Sequence, residues 1–158
     1  LVDVRVPPDT AAFLMELGGF MATRDGRNRP TAVEAVVLEL DPESGVAEVA
    51  ANVRFGRNTA DNLRDNGRCA VVISRAWADH RSVQIKGRCL DVRGPVVDAE
   101  RIGPRTEVLA NVLVTFGLPQ KVADDFRKIR YDPHYLVKVQ IEEVFDQTPG
   151  PGAGKRIP

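Results

Sequence analysis

The chain has 158 residues, 43% apolar and 28% charged, with 22 basic residues balanced by 22 acidic ones. That length and composition fit a single globular domain with a real core, residues 1–158. Zero net charge argues against a dedicated nucleic-acid or membrane-surface binder.

Pro8 to Leu17 predicts a short capped helix, stopped at Gly18-Gly19. Phe20 to Thr23 is a strand candidate, and Asp25 to Pro30 a turn. Thr31 to Leu40 and Val46 to Val53 read as two strands joined through the Asp41–Gly45 turn, so the sheet is antiparallel. Thr59 reads as the N-cap and Gly67 as the C′ residue of a second helix. The basic loop Arg54 to Thr59 runs straight into it, where free N–H groups favour an anion.

Cys69 to Ser74 is a buried-type strand, and Ser82 to Val92 is the central one. Val83, Ile85 and Gly87 share one face, while Ser82, Gln84, Lys86 and Arg88 share the other, a polar face for solvent or a ligand. The apolar parity flips after Cys89, which predicts a bulge or bend that curls the sheet toward a barrel. From Asp98 to Arg130 the pattern is helical, with stripes over Glu107–Phe116 and Gln120–Ile129. Tyr135 to Phe145 is the closing strand, and the Pro/Gly-rich residues 147–158 are an extended C-terminal tail.

Chemistry-bearing motifs are few. Between Arg54 and Arg93 nine basic residues face four acidic ones, a local excess of +5 that suits a compact anion if the arginines converge. Cys69 and Cys89 read as small core residues. His80 and His134 lack partners at metal-ligand spacing, so no metal site is expected. Gly154-Lys155 fails the phosphate-loop pattern, because Pro149 and Arg156 stand at required positions. No catalytic constellation stands out, which suits a cofactor that brings its own chemistry, such as a flavin. No leader or membrane-spanning run is legible, so a cytoplasmic protein is expected.

Four pieces resemble the FMN-binding split-barrel superfamily, specifically pyridoxamine 5′-phosphate oxidase-like proteins. They are Phe20–Arg24 with Arg29-Pro30, the strand Glu34–Glu39, the loop Gly56-Arg57-Asn58-Thr59 with Asn62-Leu63, and Arg81–Gly87. The loop looks like the family's Ser-Arg-Lys loop, and Arg81–Gly87 like its strand Arg-Gln-Val-Arg-x-Glu-Gly. The resemblance implies a mainly β (α+β) fold, an antiparallel split β-barrel with flanking helices. It implies a homodimer with FMN sites at the interface. Arg57, Asn58 and Thr59 would meet the FMN phosphate, and Ser82 and Gln84 the flavin or ribityl chain. Val36 and Val37 would offer backbone to the ring, with Ala51 and Asn52 on the neighbouring strand. Glu34 and Glu39 stand where the oxidases carry Arg and Lys, and the tail lacks their substrate-binding Trp and Arg. A flavin-dependent oxidoreductase other than pyridoxamine phosphate oxidase is therefore expected; a non-catalytic flavin or electron carrier and a haem-binding barrel are the alternatives.

Overall fold

A computed structural model describes residues 4–158. Its elements in chain order are α1 (Pro8–Glu16), β1 (Gly18–Arg24), β2 (Pro30–Asp41), β3 (Val46–Asn52), α2 (Thr59–Asn66), β4 (Arg68–Ser74) and β5 (Ser82–Val96). There follow α3 (Ala99–Thr115), α4 (Gln120–Arg127), a 3-10 turn (Lys128–Tyr131), β6 (His134–Asp146) and β7 (Arg156–Ile157). The strand order is β3-β2-β1-β4-β5-β6-β7, and an added β3–β6 pairing closes the first six into an antiparallel barrel. No described helix is long and apolar enough to cross a membrane.

Period-two alternation decides what faces the barrel interior. Met21, Val33, Val37, Val49, Val71, Ile85 and Ile141 point inward and are fully buried. Residues of the opposite parity on β2, β3 and β6, namely Val36, Leu38, Ala50 and Leu136, point outward and are covered by Ile102 of α3. The barrel therefore has a second, smaller apolar layer outside its wall.

Closure needs bends, and the expected one is present. The β5–β6 register shifts at Lys86/Gly87, at Cys89/Asp91 and again at Arg93/Val96. Gly87 sits where β6 approaches most closely: a Cβ there would lie 2.2 Å from the Gln140 carbonyl oxygen. A further shift at Val37/Glu39 bends β2.

Two local expectations change, at the start of α2 and in the tail. Thr59 is the first residue of α2, and Asn58 is its N-cap, without a side-chain capping bond. α3 begins at Ala99, in line with the helical pattern expected from Asp98, whose carboxylate accepts from Arg101 N–H and starts the helix upstream of Pro104. Residues 147–158 do not stay extended: Gly150 and Gly154 adopt positive φ, and β7 returns to pair with β6. Gly67 does end α2 in the left-handed region, its N–H bonded to Leu63 O. Asn62 Nδ2 to Thr23 Oγ1 (3.0 Å) and Asn66 Nδ2 to Arg24 O (2.7 Å) pin α2 across one end of the barrel.

Candidate functional site

The outer wall carries a polar run beside an apolar one. Register sets Phe20 opposite both Val72 and Glu34. The pairing of Ala35 with Ala51, carried one step further, sets Glu34 beside Asn52, and Asn52 pairs with His134. Glu34, Asn52 and His134 thus sit side by side on the outward face of β2, β3 and β6.

The α3–α4 hairpin hangs over this wall and leaves a cavity of about 300 Å³. Its floor is Gly18, Phe20, Glu34, Val36 and Val72; its roof is Leu109, Val112, Leu113, Phe116, Phe126 and Ile129. Trp77, Ser74, Arg105, Thr106 and His134 also line it. Two of the lining hydroxyls are already engaged: Ser74 Oγ lies 2.6 Å from Ser82 Oγ, and Thr106 Oγ1 donates to Gly103 O.

At one end of the cavity the polar groups are unusual. Glu34 Oε2 is buried without a hydrogen-bond partner. Burial, then the nearby Asp132 charge, push the Glu34 carboxyl above its ordinary value against a lesser pull from Arg54. Asn52 Nδ2 donates to Asp132 Oδ2 at 3.2 Å, and Asn52 Oδ1 accepts from Arg54 N–H at 2.8 Å. His134 Nδ1 lies 2.8 Å from Asp132 O. A carbonyl only accepts, so Nδ1 carries the proton and Nε2 is left as an acceptor.

Burial pulls His134 below its ordinary pKa. The unfolded chain then takes up that proton at higher pH than the folded one. The contribution to stability is complete above the unfolded value and is lost as pH falls through the lowered folded value. Glu34, raised, works in the opposite sense, so the two are separated by substitution. Between about pH 7 and about pH 5, thermal melts of His134→Gln are expected to lose less stability than those of the native chain. Parallel losses would show that His134 does not titrate in this way.

The basic segment resolves into separate surfaces. Arg68 and Arg88 both pair with Glu142, Arg75 with Glu16 and Asp79, Arg81 with Asp9, and Arg93 with Glu48. The Arg57 side chain has no ion pair or hydrogen bond among the described residues, and the Arg54 guanidinium stacks on Phe55. Both stand in the loop ahead of α2, which Val53 N–H ties to Pro133 O beside the Glu34–His134 end of the cavity. Thr59 Oγ1 is buried there without a partner. Gly56 is required: a Cβ on it would lie 1.9 Å from Val33 Cγ1.

Compared by sequence, the chain matches no protein-family model and no curated protein. Compared by structure, it is similar to HupZ of Group A Streptococcus, at 13% identity and TM-score 0.54, over 94% of this chain and 99% of that one. It is also similar to the conserved hypothetical protein Rv2991 of Mycobacterium tuberculosis, at 14% identity and TM-score 0.50, covering 92% and 86%. A pyridoxinephosphate oxidase family protein of Clostridium acetobutylicum overlays at 11% identity and TM-score 0.48, covering 89% and 82%. The chain has a split-barrel fold. The expected α+β architecture with flanking helices is the observed one.

On this split barrel the residues expected to hold a cofactor fall into groups. Val36 lines the cavity, and Val37 points into the barrel core with Ala51. Asn52 is at the polar end. Arg57 and Asn58 are exposed in the loop, beside the buried Thr59. Ser82 reaches the cavity only through Ser74, its N–H bonded to Thr148 Oγ1. Gln84 lies beyond Val72 on the same outer face and accepts from Gln147 Nε2. Glu34, His134 and Arg105 were not singled out as site residues from sequence. For Glu34 and His134 the signal was parity: both share the outward face with Val36 and Leu136. Arg105 gave none, because the fold of α3 over β2 is a tertiary fact.

Proposed function

We propose that this split barrel binds FMN and is a flavin-dependent oxidoreductase. The observation that carries the reading is the loop ahead of α2, where Arg57 has no acidic partner, the helix start has no side-chain cap, and the Thr59 hydroxyl is unsatisfied. A phosphate suits such a place: a guanidinium, a hydroxyl and first-turn N–H groups converge on one anion. Arg57, Asn58 and Thr59 would hold it, with the ring against the backbone of β2 at Val36 and Val37. Glu34 faces the same end, and burial with the Asp132 charge shifts it toward the uncharged acid, which lessens repulsion of an anion. Flavin supplies hydride and electron transfer when bound, so no nucleophilic side chain is needed.

The uncovered apolar wall supports a second copy of the chain at this face. Phe20 is 54% exposed, in a row with Val72, Gln84 and Phe145, and Phe116 is 59% exposed on the hairpin. A two-fold homodimer burying well over ~1,200 Å² in total would cover it and bring Ser82 and Gln84 toward a shared site. Light scattering is expected to give twice the chain mass at micromolar concentration; a monomer there contradicts the dimer.

The enzyme reading is tested by anaerobic reduction. FMN bound to the chain should be bleached by NADH or NADPH at a rate of turnover order, ~1 s⁻¹ or more. Bound flavin that neither donor reduces would make the chain a passive carrier for those donors.

A further inference from the structure

The cavity holds one more charged group. Arg105 projects from α3 between the end of α1 and the bend of β2. Its Nε donates to Met15 O at 3.0 Å, Nη1 to Arg101 O at 3.0 Å and Nη2 to Leu38 O at 3.5 Å. All three partners are backbone carbonyls. No carboxylate lies within ion-pair distance among the described residues, and burial pulls its pKa below the ordinary arginine range with nothing to offset it.

We infer that the cavity between the α3–α4 hairpin and the outer wall of β1 and β2 binds a small apolar monoacid, an aromatic or alicyclic carboxylate whose anion meets Arg105. The lining beyond Arg105 is aliphatic and aromatic, which suits a hydrophobic body. Each Nη of Arg105 retains a second proton without a partner, enough for one bidentate carboxylate. A phosphate would leave lone pairs unsatisfied in so apolar a place. Orientation is set by the far end. Arg105 reaches Leu38 O, four residues along β2 from Glu34, or about 13 Å along the strand. Glu34 and Arg105 thus line the cavity at two separated places along β2. The anion is held at the Arg105 end, where the cavity's one guanidinium lies. A donor group on the ligand can meet Glu34 or His134 Nε2.

The cavity shares Glu34 and Val36 with the place proposed for the flavin ring, so the inference concerns the flavin-free chain; it turns on Arg105, whereas the flavin reading turns on Arg57. Binding is measured on flavin-free full chain, so its failure leaves the Arg57 loop untouched, and failure of FMN binding leaves this site untouched. The probes are phenylbutyrate and its uncharged counterpart phenylbutanol. Trp77 is the one tryptophan and lines the cavity, so its emission reports occupancy there. Phenylbutyrate is expected to saturate one site per chain, change Trp77 emission, and bind about tenfold or more tighter than the alcohol. In Arg105→Met the acid should fall to the alcohol's affinity while the alcohol is unchanged. Arg105 also ties α3 to α1 and β2; if this variant does not fold, the acid-to-alcohol ratio on the native chain decides the matter. Equal affinities, no saturation up to millimolar probe, an unmoved Trp77 signal, or an acid preference that survives in folded Arg105→Met would each overturn the inference.

Discussion

Arg57→Ala is expected to weaken FMN binding by about 10- to 150-fold and to leave riboflavin binding almost unchanged. The expectation follows from how the arginines of this region are used. Those at 68, 75, 81, 88 and 93 are each held by a carboxylate from elsewhere in the chain. Arg57 is not, so its charge is available, and it stands where a loop enters a helix. Losing a hydrogen bond to a charged group costs roughly 1.5–3 kcal/mol, against about 1 for a neutral pair. Gln84 presents a neutral amide already bonded to Gln147, so Gln84→Ala should cost less than about 10-fold. Titrating both flavins against both variants separates phosphate from ring contacts. If Arg57→Ala weakens riboflavin as much as FMN, Arg57 is not the phosphate ligand.

Gly87→Ala is expected to destabilise the chain by about 3 kcal/mol or more, the upper part of the range for overpacking a closed site. The added Cβ would lie 2.2 Å from Gln140 O and 2.9 Å from Val139 Cγ1. The nearer atom is backbone of the paired strand and cannot rotate away. Relief requires β5 and β6 to separate at the register shift that closes the barrel. Gly117→Ala is the control: Gly117 has φ +83° but nothing within 4 Å, so only local backbone strain, about 1 kcal/mol, is at stake. Chemical denaturation of the two variants should show losses differing by about 2 kcal/mol; equal losses would mean that Gly87 is not a close-packing position.

Much of the barrel was legible because its cues are local. Val83 and Ile85 alternate with Ser82 and Gln84, and the parity flip after Cys89 marks the bend that β5 makes. Gly67 ends α2 because it alone among nearby residues takes positive φ without strain. The N-cap was read one residue late because Asn58 and Thr59 are both good capping types, and only the backbone tells them apart. The site was less legible for the opposite reason. The cavity exists because α3 and α4 lie over β1 and β2, a contact between residues some sixty or more positions apart that no periodicity encodes. His134 had no sequence neighbour to pair with; its partners, Asn52 and Glu34, arrive through the β2–β3–β6 register. The local excess of positive charge was visible, but not that most of it is neutralised by Glu16, Glu48 and Glu142 from distant strands and helices.

The central claim is that the chain holds FMN through the loop ahead of α2. Gel filtration of the full chain mixed with FMN tests it most directly. Flavin absorption is expected to travel with the protein, one FMN per chain, in a peak of dimer mass. Flavin emerging wholly in the small-molecule volume, at protein and FMN concentrations of tens of micromolar, would contradict it.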